Sequence, residues 1–338
     1  MTLSPHEELD GNPEATAELL GRLTELRSTP HLHRDHPGIL FVTLADALAL
    51  NLVDRGVFVA GWQELARRYN ELGVGRLLPL ERVWYGVRAT PGPAFGGFHH
   101  PDQGYRHLQQ IAIFTAYGDL TQAAPACPRL AALDLLRSFG HDCLHWASYR
   151  VYTLRTTERG GEISRIRYGI NARTVDGRTY SARDQKTSRT TRNLGVVMEG
   201  ATDREAHRIA RAAAERLDVA VHDSASVDYF AYLDETGGLV EADVRILSDR
   251  SLRAQIANDP GAEEYLKNMG SYARGVGTRY ATFLDEFGAG RDEQLHEVIV
   301  RCMISGQLEP LSAWLADRHG PNSFERIFKT EDFEIQPA

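Results

Sequence analysis

Two hydrophobic rhythms alternate along the chain. Between Glu14 and Arg27 the apolar residues Ala17, Leu20, Leu23 and Leu26 recur every three positions, the spacing of one helical face, and Ile39 to Tyr69 is mostly apolar with a similar period. Arg82 to Thr90 instead alternates Val83, Tyr85 and Val87 in the manner of a strand. Pro128 to about Arg155 reads as one long helix, with proline in its first turn and Leu133, Leu136, Phe139 and Leu144 at helical intervals. Arg165–Val175 and Arg178–Asp184 flank Asp176-Gly177, a dipeptide suited to a tight turn with positive φ, and together predict a β-hairpin. Asn193 to Leu217 returns to helix, with Ala206, Ile209, Ala210 and Ala213 as its apolar stripe, and Val219 onward holds several helical segments punctuated by glycine and proline.

The order helix, hairpin, helix, helical remainder predicts an α+β protein, predominantly helical. It divides into a mixed part over 1–125, a central part over 126–215 and a helical C-terminal part over 216–338. A chain of 338 residues exceeds the usual single-domain range and has ample apolar content for its core. The net charge of −8 argues against nucleic acid or an anionic membrane as the main partner, since both reward a basic face, so a small-molecule or peptide substrate is expected. Cys127, Cys143 and Cys302 form no CxxC and no framework of pairs, and the acidic start lacks a basic region followed by an apolar run. Both features predict a cytoplasmic protein.

The chemistry concentrates in two phrases. In "HDCLH", His141 and His145 are four residues apart on one helical face, the spacing that lets two imidazoles grip one metal ion. By itself this pair is equally compatible with two ordinary histidines. In "MEGATD", Glu199 and Asp203 share a face of the later helix. A catalytic zinc takes a third protein ligand, commonly Glu, and keeps a fourth position for water. A metal-bound histidine also wants its second ring nitrogen held by a carboxylate, which Asp203 can supply.

Together these phrases resemble the gluzincin group of zinc metallopeptidases, the thermolysin-like clan, in which H-E-x-x-H on one helix is followed on a later helix by a phrase close to N-E-G-x-x-D. The resemblance covers about Pro128 to Ala210. It implies a zincin-like core with the hairpin between its two ligand helices, His141, His145 and Glu199 as Zn2+ ligands, Asp203 behind them, and hydrolysis of an amide or peptide bond. Asp142 stands where the group has glutamate and is one methylene shorter. Three readings follow: a hydrolase with a repositioned base; a 2-His-1-carboxylate enzyme using Fe2+ on a small metabolite; or a zincin-like module that binds without catalysing.

Further candidates each carry a plainer reading. Tyr149 extends the series His141, His145 and reaches an oxyanion if the helix continues; otherwise it packs. His207 follows Glu199 and Asp203 on nearly the same face and serves either a leaving group or the shell around the ligands. His222 is the candidate for the electrophilic histidine that gluzincins bring from their C-terminal part. His99 and His100 lie in a glycine-bearing loop, His31, His33 and His36 in another, and Cys143 reads as packing between the ligands. Arg150, Arg155, Arg165, Arg167 and Arg192 form a series able to clamp a carboxylate. Because only Lys186, Lys267 and Lys329 among 38 basic residues are lysine, arginine is common here and solvated charge is the expectation.

Overall fold

The computed structural model describes residues 3–28, 39–50, 54–88, 98–99, 110–117, 128–158, 160–257 and 260–330. In chain order the strands are β1 (Glu7–Asp10), β2 (Ile39–Thr43), β3 (Val83–Arg88), β4 (Phe98–His99), β5 (Ala112–Tyr117), β6 (Arg150–Thr157), β7 (Gly160–Tyr168) and β8 (Asn171–Ala172). The helices are α1 (Pro13–Ser28), α2 (Leu44–Ala49), α3 (Arg55–Glu71), α4 (Pro128–Ala147), α5 (Leu194–Arg216), α6 (Val227–Thr236), α7 (Glu241–Ser248), α8 (Arg250–Ile256), α9 (Pro260–Tyr272), α10 (Thr278–Gly288), α11 (Asp292–Ser305), α12 (Glu309–His319) and α13 (Ser323–Phe328). The protein is α+β and predominantly helical. No helix among the described residues is long and apolar enough to cross a membrane.

Two compact units divide the chain: Met1–Ser28 with Ala147–Thr202 and Val276–Ala338, and Thr29–Trp146 with Asp203–Gly275. The first holds a sheet of order β1-β6-β7-β8, in which β1 and β6 are parallel and the other pairs antiparallel. Its helical part packs Tyr280, Phe283, Phe287 and Phe328 ring against ring. The second holds a sheet of order β2-β3-β5-β4, with β3 and β5 parallel. Its C-terminal helices bury Val227, Phe230, Leu247, Leu266 and Met269 against Leu130 of α4.

Helix α4 is shorter than its apolar pattern predicts. It stops at Ala147, and Arg150–Thr157 is strand β6, because the valine and threonines of "RVYTLRTT" favour an extended backbone and find β1 and β7 as partners. This also changes the hairpin. Arg165–Tyr168 pairs with β6, while Asp176-Gly177 turns a short antiparallel bridge between Arg173 and Thr179, with Gly177 at φ +89°. Likewise α1 buries Leu19, Leu23 and Arg27, leaving Leu20 38% exposed, since the ion pair of Arg27 with Glu7 turns that face inward.

From Leu130 to Leu144, α4 is buried on every side apart from Arg137, so it is a central helix rather than an amphipathic surface one. In the same unit Tyr69 of α3 donates to the Gly140 carbonyl at 2.6 Å, and Arg68 grips the buried Glu205 of α5 with bonds of 2.8 and 2.7 Å. At its start α5 is capped by Asn193, whose Oδ1 accepts from the Gly195 and Val196 amides at 2.8 and 3.3 Å. The "MEGATD" glycine has a packing reason: a Cβ on Gly200 would lie 2.4 Å from Cβ of Tyr280, an atom that cannot move without its backbone.

That contact yields a paired prediction. Alanine in a helix is favoured over glycine by about 1 kcal/mol, so Gly21→Ala in α1, where nothing lies within 4 Å of the added methyl, should raise the urea midpoint. Gly200→Ala should lower it, because overpacking costs about 1–3 kcal/mol. A higher midpoint for Gly200→Ala would show that α5 and α10 do not pack this closely.

Candidate metal centre

Buried polar groups inside α4 need partners, and most of them fall on one stripe. Asp134, Arg137, His141 and His145 follow one another at intervals of three and four residues, hence one above the other. The Nε2 atoms of His141 and His145 point at each other, 2.9 Å apart, with the rings edge to face. At most one proton can lie in such a contact, and with neither Nε2 protonated both lone pairs converge on one spot, as a shared metal ion requires. The other side of His141 faces an anion: its Nδ1 lies 3.7 Å from Oδ1 of the buried Asp203.

Glu199 precedes Asp203 by one turn of the continuous helix α5. One ligand atom each from His141, His145 and Glu199 lies within 4.8 Å of the others, a group able to hold a metal ion among the described residues. Bonds of about 2.0–2.2 Å to one ion would place three such atoms within about 4 Å of each other. Two nitrogens and one carboxylate oxygen suit zinc, and they equally suit ferrous iron.

Asp203 is held from several sides. Arg137 donates to its Oδ1 at 3.2 Å and to Asp134 at 3.3 Å, and it stands 3.9 Å from Asp234; His207 Nε2 is 3.5 Å from the other Asp203 oxygen. Burial pushes the Asp203 carboxyl upward, but the neighbouring His207, His141 and Arg137 outweigh it and hold the group well below the usual carboxylate range. His207, only partly exposed, is pushed down to about 4 by burial, so it is neutral at pH 7. Asp234 is pushed up to about 7, again by burial, with Asp203 and Asp134 opposing the relief from Arg137. One guanidinium thus faces three aspartates, and a proton on Asp234 near neutrality relieves the excess. An ionised Asp203 behind Nδ1 makes the opposite nitrogen of His141 a better ligand.

The other candidates have surroundings of their own. Tyr149 does not continue the histidine series, because α4 ends two residues before it. Its amide donates to Met303 O, its hydroxyl to Glu8, and burial with Glu8 pushes the phenol up to about 12. His222 is exposed in the segment after α5. Cys143 is fully buried and its thiol is pushed well up by burial, as packing requires. Asp142 is buried and its charge bears on Cys143 and on Tyr69. His99 belongs to β4, while His100, His31, His33, His36 and Cys127 fall outside the described residues. Sequence reasoning missed Arg137, Asp134 and Asp234. For the first two a signal existed, a polar stripe at helical spacing with His141 inside an apolar helix.

No protein-family model matches the chain, and no curated protein and no solved structure matches it either. The likeness to gluzincins therefore rests on the two helix phrases.

Two predictions follow from the geometry. Single replacement of His141, His145 or Glu199 by Ala should strongly lower bound metal, measured by mass spectrometry on tag-free protein, while Asp203→Ala should weaken affinity by about 10- to 100-fold. Full metal in all three ligand variants would place the site elsewhere. The second concerns Asp234, whose proton leaves at about 7 when folded against an ordinary value of 3.8. Between those pH values the unfolded chain binds fewer protons, so this group's contribution to stability falls as pH rises. Asp234→Asn, which mimics the protonated form, should gain stability relative to wild type between pH 5 and pH 8 in urea unfolding; a relative loss would refute the assignment.

Proposed function

We propose that the protein is a metal-dependent hydrolase acting on an amide or peptide bond, with His141, His145 and Glu199 as ligands and Zn2+ as the metal. One observation carries this reading: the ligand atoms of these three residues lie within 4.8 Å of one another. The carboxylate behind His141 supports it, since structural histidine pairs have no need of an oriented tautomer. On this reading α4, α5 and the strands between them are a zincin-like core, and the substrate is a small molecule or peptide.

His141, His145 and Glu199 would hold the zinc ion, which when bound would supply a water of lowered pKa and Lewis acidity toward a scissile carbonyl. The chain's residues do the rest. Asp142, next to the first ligand, accepts a proton from the attacking water and hands it to the leaving amine. Its side chain is a methylene shorter than glutamate, so the water must sit closer to α4 than in enzymes with the longer base. Asp203, whose Oδ1 accepts from the Arg137 guanidinium, lies behind the His141 ring and would compensate the positive charge of the centre.

Asp142 provides the test. With a quenched-fluorescent peptide library as substrate and metal content measured alongside, Asp142→Asn should keep its metal and lose at least about 100-fold in turnover, the usual contribution of a general base. Asp142→Glu should also lose activity if the cleft is built for the short base. Undiminished turnover in Asp142→Asn would remove the proposed base and the hydrolytic mechanism with it. Iron as the native metal, with oxygen consumption, would replace hydrolysis by oxidation at the same three ligands.

A further inference from the structure

The arginine series Arg150 to Arg192 does not behave as one solvated group. Arg155 is exposed on β6. Arg167 donates to the Gly306 carbonyl, and Arg192 pairs with Glu286. Arg150, buried to 2%, stands 3.6 Å from Glu7. Arg165 differs from all of these. It lies on β7 opposite Tyr152, and its guanidinium stacks on the Tyr168 ring at 4.1 Å. Its Nη1 is shielded from solvent and has no hydrogen-bond partner, and no carboxylate pairs with it among the described residues.

Its surroundings raise the cost of that charge. Burial lowers the Arg165 pKa, and the neighbouring Arg173 and Arg150 lower it further. The carboxylate beside Arg150, Glu7, is already engaged: Arg27 donates to both its oxygens at 3.2 and 2.8 Å. Stacking on Tyr168 orients the guanidinium plane without neutralising it. A shielded cation among other cations is expensive unless an anion completes it. Arginine's planar fork is also the side chain best matched to two oxygens of one anionic group.

We propose that this face of the β1-β6-β7-β8 sheet is an oxyanion site, in which Arg165, held flat against Tyr168, binds a carboxylate or phosphate group of a small molecule. Arg173, exposed at the rim, adds attraction from solvent. The site uses none of the residues of the proposed metal centre, so either can fail without the other.

The test uses the full chain in Tris-chloride with 1,10-phenanthroline, a neutral chelator that suppresses anion binding to metal. Sodium phosphate and sodium succinate are titrated separately by calorimetry and thermal shift, against sodium chloride at matched ionic strength. A saturable response to at least one is expected; stronger binding of phosphate identifies a phosphoryl ligand, and stronger binding of succinate a carboxylate. Arg165→Gln should weaken it at least tenfold, and Arg165→Lys, which keeps the charge but loses the fork, should weaken it less. Arg155→Gln should bind like wild type. No saturable binding of either anion would overturn the proposal, as would binding that survives Arg165→Gln unchanged. Should Arg165→Gln not fold, undiminished binding in Arg165→Lys would count against the fork.

Discussion

A buried aspartate with three basic neighbours organises the centre of this protein. Asp203 sits on α5 and faces His141 of α4, His207 of its own helix and Arg137 of α4. A lone carboxylate removed from water costs several kcal/mol, so its place in the interior depends on those partners. The same dependence runs outward. Arg137 stays charged because Asp134, Asp203 and Asp234 surround it, and Asp234 takes a proton near pH 7 because one guanidinium cannot serve three anions. The network places an anion 3.7 Å behind Nδ1 of the His141 ring, on the side opposite Nε2.

Helix α4 makes that network unavoidable. A helix enclosed on nearly every side would be most stable if apolar throughout, yet this one carries Asp134, Arg137, Ser138, His141 and Asp142 in its buried stretch. Satisfying them constrains its neighbours: Tyr69 bonds the Gly140 carbonyl, and Glu205 is gripped by Arg68 so that α5 holds its register. Polar groups retained in a helix at such cost point to chemistry rather than stability. In the proposed centre they supply the ligand His141 and the base Asp142, with the second ligand His145 one turn further along.

Much of this was legible in the sequence, and the exceptions have physical causes. The helix bearing Glu199 and Asp203, the strand at Val83 to Val87 and the α+β class follow from periodicity. Within "HDCLH" and within "MEGATD", residues four apart must share a helical face; joining the two phrases rested on the resemblance to gluzincins. Apolar spacing failed after Ala147, where Val151, Tyr152 and Leu154 satisfy a helical count as readily as a strand and only the partners β1 and β7 decide. Tyr149 was lost from the site for that reason. Arg165 was legible only as one of a series of arginines able to clamp a carboxylate; what sets it apart is the absence of a counter-charge, which no spacing encodes. Asp234 reaches Arg137 only through the packing of α6, far along the chain.

X-ray absorption at the metal edge of tag-free protein tests the central claim most directly. The account predicts a first shell of nitrogen and oxygen scatterers at about 2.0–2.2 Å, with outer-shell scattering from two imidazoles. A sulfur shell at about 2.3 Å, or a protein that takes up no metal at all, would contradict it.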